Sequence, residues 1–162
     1  MSKMEVRLER LKTMRAAYIH SSSNTPEEDA EKTIIEWAKS KGLMEKKMGA
    51  RLFGRNTHPT YKPEPHGYEL YLTVDSDIEI EGDVEMREIP EGLYAVLRFT
   101  NLNKIKEALQ KLWKWFEDSE YKPVDWKKSE HGWVDGLEEQ VNWQEEKPQT
   151  EWILDLWVQI KE

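Results

Sequence analysis

Hydrophobic and polar positions alternate through residues 152–160. Leu154, Leu156, Val158 and Ile160 fall on one side of an extended chain, and Ile153, Asp155, Trp157 and Gln159 on the other. The same period of two runs through residues 68–74, where Leu70, Leu72 and Val74 oppose Glu69, Tyr71 and Thr73. It recurs in residues 94–99, where Ala95, Leu97 and Phe99 oppose Tyr94, Val96 and Arg98. Residues 4–20 predict a strand broken near Lys12 and Thr13, carrying Val6 and Leu8 before the break and Ala17 and Ile19 after it, with a loop at 21–24. Residues 51–56, 84–87 and 137–142 are shorter strand candidates. On the last of these, Leu137 and Val141 are expected to face the core, which sets Glu138 and Gln140 opposite and leaves Glu139 a poor fit.

Two stretches carry the helical period instead. Thr25 as N-cap, Pro26 in the first helical position and Glu28 closing a capping box predict a helix over 26–41. Its buried stripe is Ala30, Ile34, Trp37 and Ala38, and Gly42 ends it. A second helix starts near Asn101 or Asn103 and runs to about Ser119, burying Ile105, Ala108, Leu109, Leu112, Trp113 and Phe116. Residues 57–67 hold Pro59, Pro63 and Pro65 and predict a stiff loop; residues 75–83 predict a linker.

The two halves are alike. Val6, Leu8 and Leu11 correspond to Val84, Met86 and Ile89; Ile34 and Trp37 to Leu112 and Trp115; Glu69, Leu70 and Tyr71 to Asp155, Leu156 and Trp157. The expected architecture is therefore α+β. Two strand–helix–strand–strand modules, about 4–75 and 83–161, build one antiparallel sheet with pseudo-two-fold symmetry, helices on one face and a central groove, all within a single domain of residues 1–162.

If the helices cover the Leu70 and Leu156 side, alternation assigns Glu69, Tyr71, Tyr94, Asp155 and Trp157 to the other face. That face is aromatic and acidic. It fits either a pocket for a flat cation, held by ring faces and a carboxylate, or a solvated outer surface. Composition bears on this choice. The formal net charge is -8, which suits a cationic ligand and argues against direct nucleic-acid binding. There are eight tryptophans, and five of them (Trp126, Trp133, Trp143, Trp152 and Trp157) crowd the end of the chain beside carboxylates. Cysteine is absent, no apolar run is long enough to span a membrane, and the N-terminus lacks the shape of a signal peptide. A cytoplasmic protein is expected. The four histidines have no ligand spacing, and neither a Gly-x-Ser-x-Gly elbow nor a phosphate loop is present, so no metal and no cofactor is expected.

Four stretches carry a family resemblance in order and spacing: residues 67–74, 89–96, 137–142 and 154–160. Over about 4–161 the chain resembles the GyrI-like small-molecule-binding domain, the effector-binding domain of multidrug-responsive activators. The resemblance implies two doubled units around an aromatic groove and a buried glutamate on the second-to-last strand that reads cationic ligands. Glu138 matches that glutamate. Gln140 stands where the family often has tyrosine, which leaves Trp133, Trp152 or Trp157 to complete the cage. No helix-turn-helix precedes residue 4, so a free-standing domain is expected. The ligand site is expected at Glu138, Tyr71, Tyr94, Trp133, Trp152 and Trp157, with Glu69 and Asp155 as secondary carboxylates. The resemblance also implies two alternatives. In one, Glu138 is catalytic in a hydrolase that opens cyclopropane-bearing DNA-alkylating compounds in the same cage. In the other, the domain is a protein-interaction or gyrase-protecting module.

Overall fold

The computed structural model describes residues 4–23, 25–56, 66–124 and 136–162. Eight strands and two helices follow one another as β1 (Val6–Leu11), β2 (Met14–Ser23), α1 (Pro26–Ser40), β3 (Leu52–Asn56), β4 (His66–Thr73), β5 (Glu85–Ile89), β6 (Gly92–Thr100), α2 (Ile105–Asp118), β7 (Leu137–Gln140) and β8 (Ile153–Gln159). All pairings are antiparallel, and the strand order is β1-β6-β8-β7-β3-β4-β2-β5. Exchanging each strand of one half for its counterpart reverses this order onto itself. A pseudo-two-fold axis therefore passes between β7 and β3, at the pair Phe53 and Glu139. The stretch 57–65 and the segment 125–135, which includes Trp126 and Trp133, lie outside the described residues.

The register explains the shape of the sheet. β1 pairs with β6 from Val6 opposite Leu97 to Leu11 opposite Gly92. β2 pairs with β5 from Met14 opposite Ile89 onward, in the same register after two residues are skipped on each chain. The two pairs are thus one long antiparallel ribbon, bent at Lys12-Thr13 and Pro90-Glu91. Pro90 has no N–H to give to the ladder, which suits it to the bend. In a flat sheet β1 and β2 would stand six strand spacings apart, roughly 29 Å. Three Cα steps from Leu11 to Met14 reach at most about 11 Å. The sheet must curl into a half-barrel, and the ribbon ties its ends together.

The curl decides which residues are inside. On the face without helices, Phe53, Tyr94, Val96, Leu137 and Trp157 form a core with Ile89, and each is at most 3 % exposed although no helix covers them. This face closes on itself. The outer face carries the helices: α1 buries Ala30, Ile34, Trp37 and Ala38 against Ala17, Leu52, Leu70 and Leu72, and α2 buries Ala108, Leu112 and Phe116 against Ala95, Leu97, Leu154 and Leu156. Each helix sits on its own half of the sheet, and a cleft opens between them over β7 and its neighbours.

Local chemistry differs from expectation in two places. Thr25 is the N-cap of α1, yet its side chain makes no cap hydrogen bond; its hydroxyl points to Asp29 at 3.4 Å, so no capping box with Glu28 forms. Strand β2 continues to Ser23 instead of ending in a loop at 21, because its backbone keeps pairing with β4 as far as His66. The rest is close: Pro26 begins α1, Gly42 follows it at φ +70°, and the Asn101 side chain accepts from the Asn103 N–H at 3.0 Å at the entry to α2. No described helix is long and apolar enough to cross a membrane.

Candidate functional site

Between the helices, residues of β4, β7 and β8 form the floor of a cleft of about 510 Å³, a usual size for a small-molecule site. Tyr68 and Leu70 of β4, Glu138 and Gln140 of β7, and Leu154 of β8 make the floor. One wall is the start of α1, with Thr25, Glu27, Glu28 and Glu31; the other is Leu102 and Ile105 at the start of α2. Gln149 and Trp152, from the connection into β8, close the side. The Trp152 indole N–H donates to the Lys147 carbonyl at 3.0 Å, which fixes the ring in the wall.

The pseudo-symmetry makes the polarity of the floor one-sided. In the central pair, Glu138 lies opposite Gly54 and Gln140 opposite Leu52. Gly54 leaves the space that Tyr68 fills: a Cβ there would fall 2.1 Å from the Tyr68 hydroxyl oxygen. The phenol thus lies across the seam next to Glu138. Burial raises the Tyr68 phenol well above its ordinary pKa, and the charges of Glu138, Glu27 and Glu31 push it further the same way. One Glu138 carboxylate oxygen is buried. Burial also raises the Glu31 carboxyl, and neighbouring Glu28 adds to the effect. The described lining holds four carboxylates and no cationic side chain.

Of the residues expected from sequence, the cleft brings together Glu138 and Trp152. Trp133 lies outside the described residues. Glu69, Tyr71, Tyr94, Asp155 and Trp157 occupy the helix-free face, inside the curl, separated from Glu138 by the sheet. There they are engaged with one another and with arginines. Glu69, 1 % exposed, accepts from the Tyr18 hydroxyl and the Arg55 guanidinium. Tyr71 reaches Glu69 at 3.4 Å, and Tyr94 donates to the Pro90 carbonyl at 2.7 Å. Asp155 takes two bonds from Arg98, at 2.9 and 3.0 Å, and one from Arg7 at 3.0 Å. Burial would raise the Asp155 carboxyl, but the bonds and charges of Arg98 and Arg7 hold it below its ordinary value. The Trp157 indole N–H donates to Glu139 at 3.0 Å, and the Arg51 fork grips the same carboxylate with two bonds of 2.9 Å. Burial drives the phenols of Tyr71 and Tyr94 up as well.

The correction concerns the phase of β7. Leu137 does not face the helices; it packs with Phe53 and Trp157 inside the curl. Val141 lies past the strand end, so it fixes no phase. Glu138 pairs with Leu156, a residue of the α2-side core, and therefore shares the outer face with the cleft. Glu139 points inward to Arg51, which disposes of its poor fit. Sequence reasoning missed Tyr68, which shares the phase of Leu70 and was legible from it. It also missed the α1 glutamates, because acids in a first turn ordinarily complement the helix dipole.

No curated protein sequence matches this chain. Among solved structures, it is similar to the EcmrR C-terminal domain at 15 % identity and TM-score 0.65, covering 98 % of each chain. In the EcmrR–DNA complex the matched part is 58 % of the EcmrR chain, so this chain spans little more than half of that relative. It is similar to a hydrolase from Listeria innocua at 7 % identity and TM-score 0.63, covering 97 % of this chain and 92 % of that one. It is also similar to SAV2435, solved bound to tetraphenylphosphonium, at 12 % identity and TM-score 0.55, covering 98 % and 94 %. These likenesses establish the shared fold. The model of the GyrI-like small molecule binding domain matches residues 4–161, and with the whole curled sheet accounted for, the chain belongs to that family.

Proposed function

We propose that the cleft between α1 and α2 binds a small organic cation with a flat apolar part. Glu138 supplies the charge on the floor, Tyr68 and Trp152 the ring surfaces, and Leu70, Leu102, Ile105 and Leu154 the apolar contact. The observation that carries this reading is the setting of Glu138: a carboxylate with one buried oxygen, beside a phenol, in a cleft whose described lining has no cation. Stacking and cation–π attraction on the two rings add to charge pairing in such a site. The tetraphenylphosphonium seen on SAV2435 has this chemistry, and the net charge of -8 suits a cationic ligand better than a nucleic acid.

The test is a fluorescence titration, with Trp152 as the reporter in the wall. Tetraphenylphosphonium should quench the wild type at micromolar concentrations, while neutral triphenylphosphine oxide should bind far more weakly. Glu138→Gln should weaken the cation by about tenfold or more, since a lost charge-assisted contact costs about 1.5–3 kcal/mol, and leave the neutral compound unchanged. Equal binding of the cation by both proteins would sink the proposal. A second reading uses the same residues: Glu138 beside Tyr68 is placed to orient water against a bound electrophile, so hydrolysis of strained alkylating compounds is the alternative activity. Turnover of such a compound by wild type, lost in Glu138→Gln, would favour it; binding without turnover removes it.

A further inference from the structure

The lining of the cleft is rich in hydrogen-bond acceptors and poor in donors. The Trp152 indole N–H is held by the Lys147 carbonyl at 3.0 Å, and the Thr25 hydroxyl turns to Asp29. Gln149 is exposed at the side. Two donors remain on the floor: the hydroxyl of Tyr68 and the side-chain amide of Gln140. Among the described residues neither makes a hydrogen bond, although Tyr68 is only 9 % exposed and Gln140 is half-buried. Buried hydroxyls and amides in proteins are for the most part bonded, so two left open on the floor of a cleft point to an outside partner.

The register sets the two donors side by side. The Tyr68 hydroxyl oxygen lies 2.1 Å from where a Cβ on Gly54 would stand, which puts it over β3. Gly54 is opposite Glu138 on β7, and Leu52 is opposite Gln140. Gln140 is therefore the diagonal neighbour of the spot that the hydroxyl occupies. Diagonal neighbours on one face have Cβ atoms about 7 Å apart, and the length of the Gln140 side chain shortens that gap until one atom can touch both donors. Burial raises the Tyr68 phenol well above its ordinary pKa, so it keeps its hydrogen and can give it. The Gln140 amide carries two N–H donors and can turn them the same way.

We infer that Tyr68 and Gln140 form a subsite for a hydrogen-bond acceptor on the ligand, with the phenol O–H and the amide N–H both donating to one oxygen carried beside the ligand's positive centre. This rests on the reading of the cleft as a cation site and narrows its ligand class to flat cations that bear a carbonyl or similar oxygen.

A matched pair of probes tests this: 1-benzyl-3-acetylpyridinium and 1-benzyl-3-isopropylpyridinium. Charge and shape are nearly the same, and only the first carries a carbonyl oxygen. Both are titrated calorimetrically into wild type, Tyr68→Phe, Gln140→Met and Glu138→Gln. The acetyl probe should bind wild type about tenfold tighter than the isopropyl probe, as two neutral hydrogen bonds allow. Tyr68→Phe and Gln140→Met should each weaken the acetyl probe about threefold to tenfold and move the isopropyl probe by less than about twofold. Glu138→Gln should weaken both probes alike. Tyr68→Phe should also melt no lower than wild type, because the hydroxyl it deletes has no bond to lose. A lower melting temperature for Tyr68→Phe with equal loss of both probes would overturn the inference, since the hydroxyl would then be serving the protein itself. Equal affinities of the two probes for wild type, with both weakened by Glu138→Gln, would overturn the acceptor subsite and leave the cation site standing. If neither probe nor tetraphenylphosphonium binds, the cation site itself fails, and this inference with it.

Discussion

Replacing Gly54 by alanine tests how the floor of the cleft is built. The new Cβ would lie 2.1 Å from the Tyr68 hydroxyl oxygen and 2.7 Å from Cζ, where real Cβ contacts stay beyond 3.0 Å. The Tyr68 ring is 9 % exposed and packed in the α1-side core with Leu52 and Leu70. It has to tilt away, and the open side is the cleft. Overpacking of this kind costs about 1–3 kcal/mol. In a domain of this size each kcal/mol lowers Tm by about 2–4 °C, so a fall of a few degrees to about 10 °C is expected. The magnitude is separated from other effects by a double-mutant cycle with Tyr68→Ala, read by thermal unfolding of all four proteins. Gly54 has no positive φ, so once the ring is gone alanine fits, and the substitution becomes neutral or stabilising by about 0.5 kcal/mol. The coupling between the two positions is therefore about 1–3 kcal/mol. Gly54→Ala should also weaken tetraphenylphosphonium, because the displaced ring enters its space. An equal cost of Gly54→Ala with and without the Tyr68 ring would refute the argument, since the glycine would then be serving something other than Tyr68.

Three further expectations follow from the charged groups. Arg51→Met should destabilise by about 2–3 kcal/mol in a denaturant melt, because it strands the Glu139 carboxylate, 6 % exposed, inside the curl; adding Glu139→Gln should recover most of that loss. The folded-state pKa of Asp155 is depressed, so its contribution is present above the ordinary aspartate value of 3.8 and disappears as pH falls through the lower folded value. Asp155→Asn should thus be less stable than wild type at pH 7, with the gap closing as pH falls below the ordinary aspartate value, as measured by Tm against pH. Glu31 has the opposite sign: its pKa is raised, so ionisation costs stability above the folded value and the cost is relieved as pH falls. Glu31→Gln should be the more stable protein at pH 7 and converge with wild type in acid.

The strands, both helices and the doubled plan were legible because each has a long, clean period. Residues 68–74 and 152–160 alternate over four apolar positions each, and α1 and α2 carry uninterrupted buried stripes. What the sequence could not convey is that both sheet faces are cores. Alternation in β8 sorts Leu156 from Trp157, but an aromatic and acidic set reads alike whether it lines a pocket or fills the inside of a half-barrel. The difference lies in the ribbon bent at Lys12-Thr13 and Pro90-Glu91, a long-range pairing with no local signature. The partners that neutralise Asp155 and Glu139 (Arg98, Arg7 and Arg51) are likewise distant in the chain. In β7 only four residues pair, Leu137 to Gln140, too few for a period to declare its phase. Pairing with β8 and β3 sets it instead, and turns Glu138 outward into the cleft. Glu138 therefore lies in the cleft between the helices and not on the helix-free face to which alternation assigns it.

The two faces can be told apart by one spectrum. Trp152 lines the cleft and Trp157 is sealed inside the curl, and each indole N–H gives its own signal in a ¹H–¹⁵N correlation spectrum. Titrating tetraphenylphosphonium into the labelled protein should shift the Trp152 indole peak and the amides of Leu70, Glu138 and Leu154, with Trp157 and Tyr94 unmoved. Movement of Trp157 and Tyr94 with Trp152 unchanged would contradict the account, placing the ligand inside the half-barrel instead of between the helices.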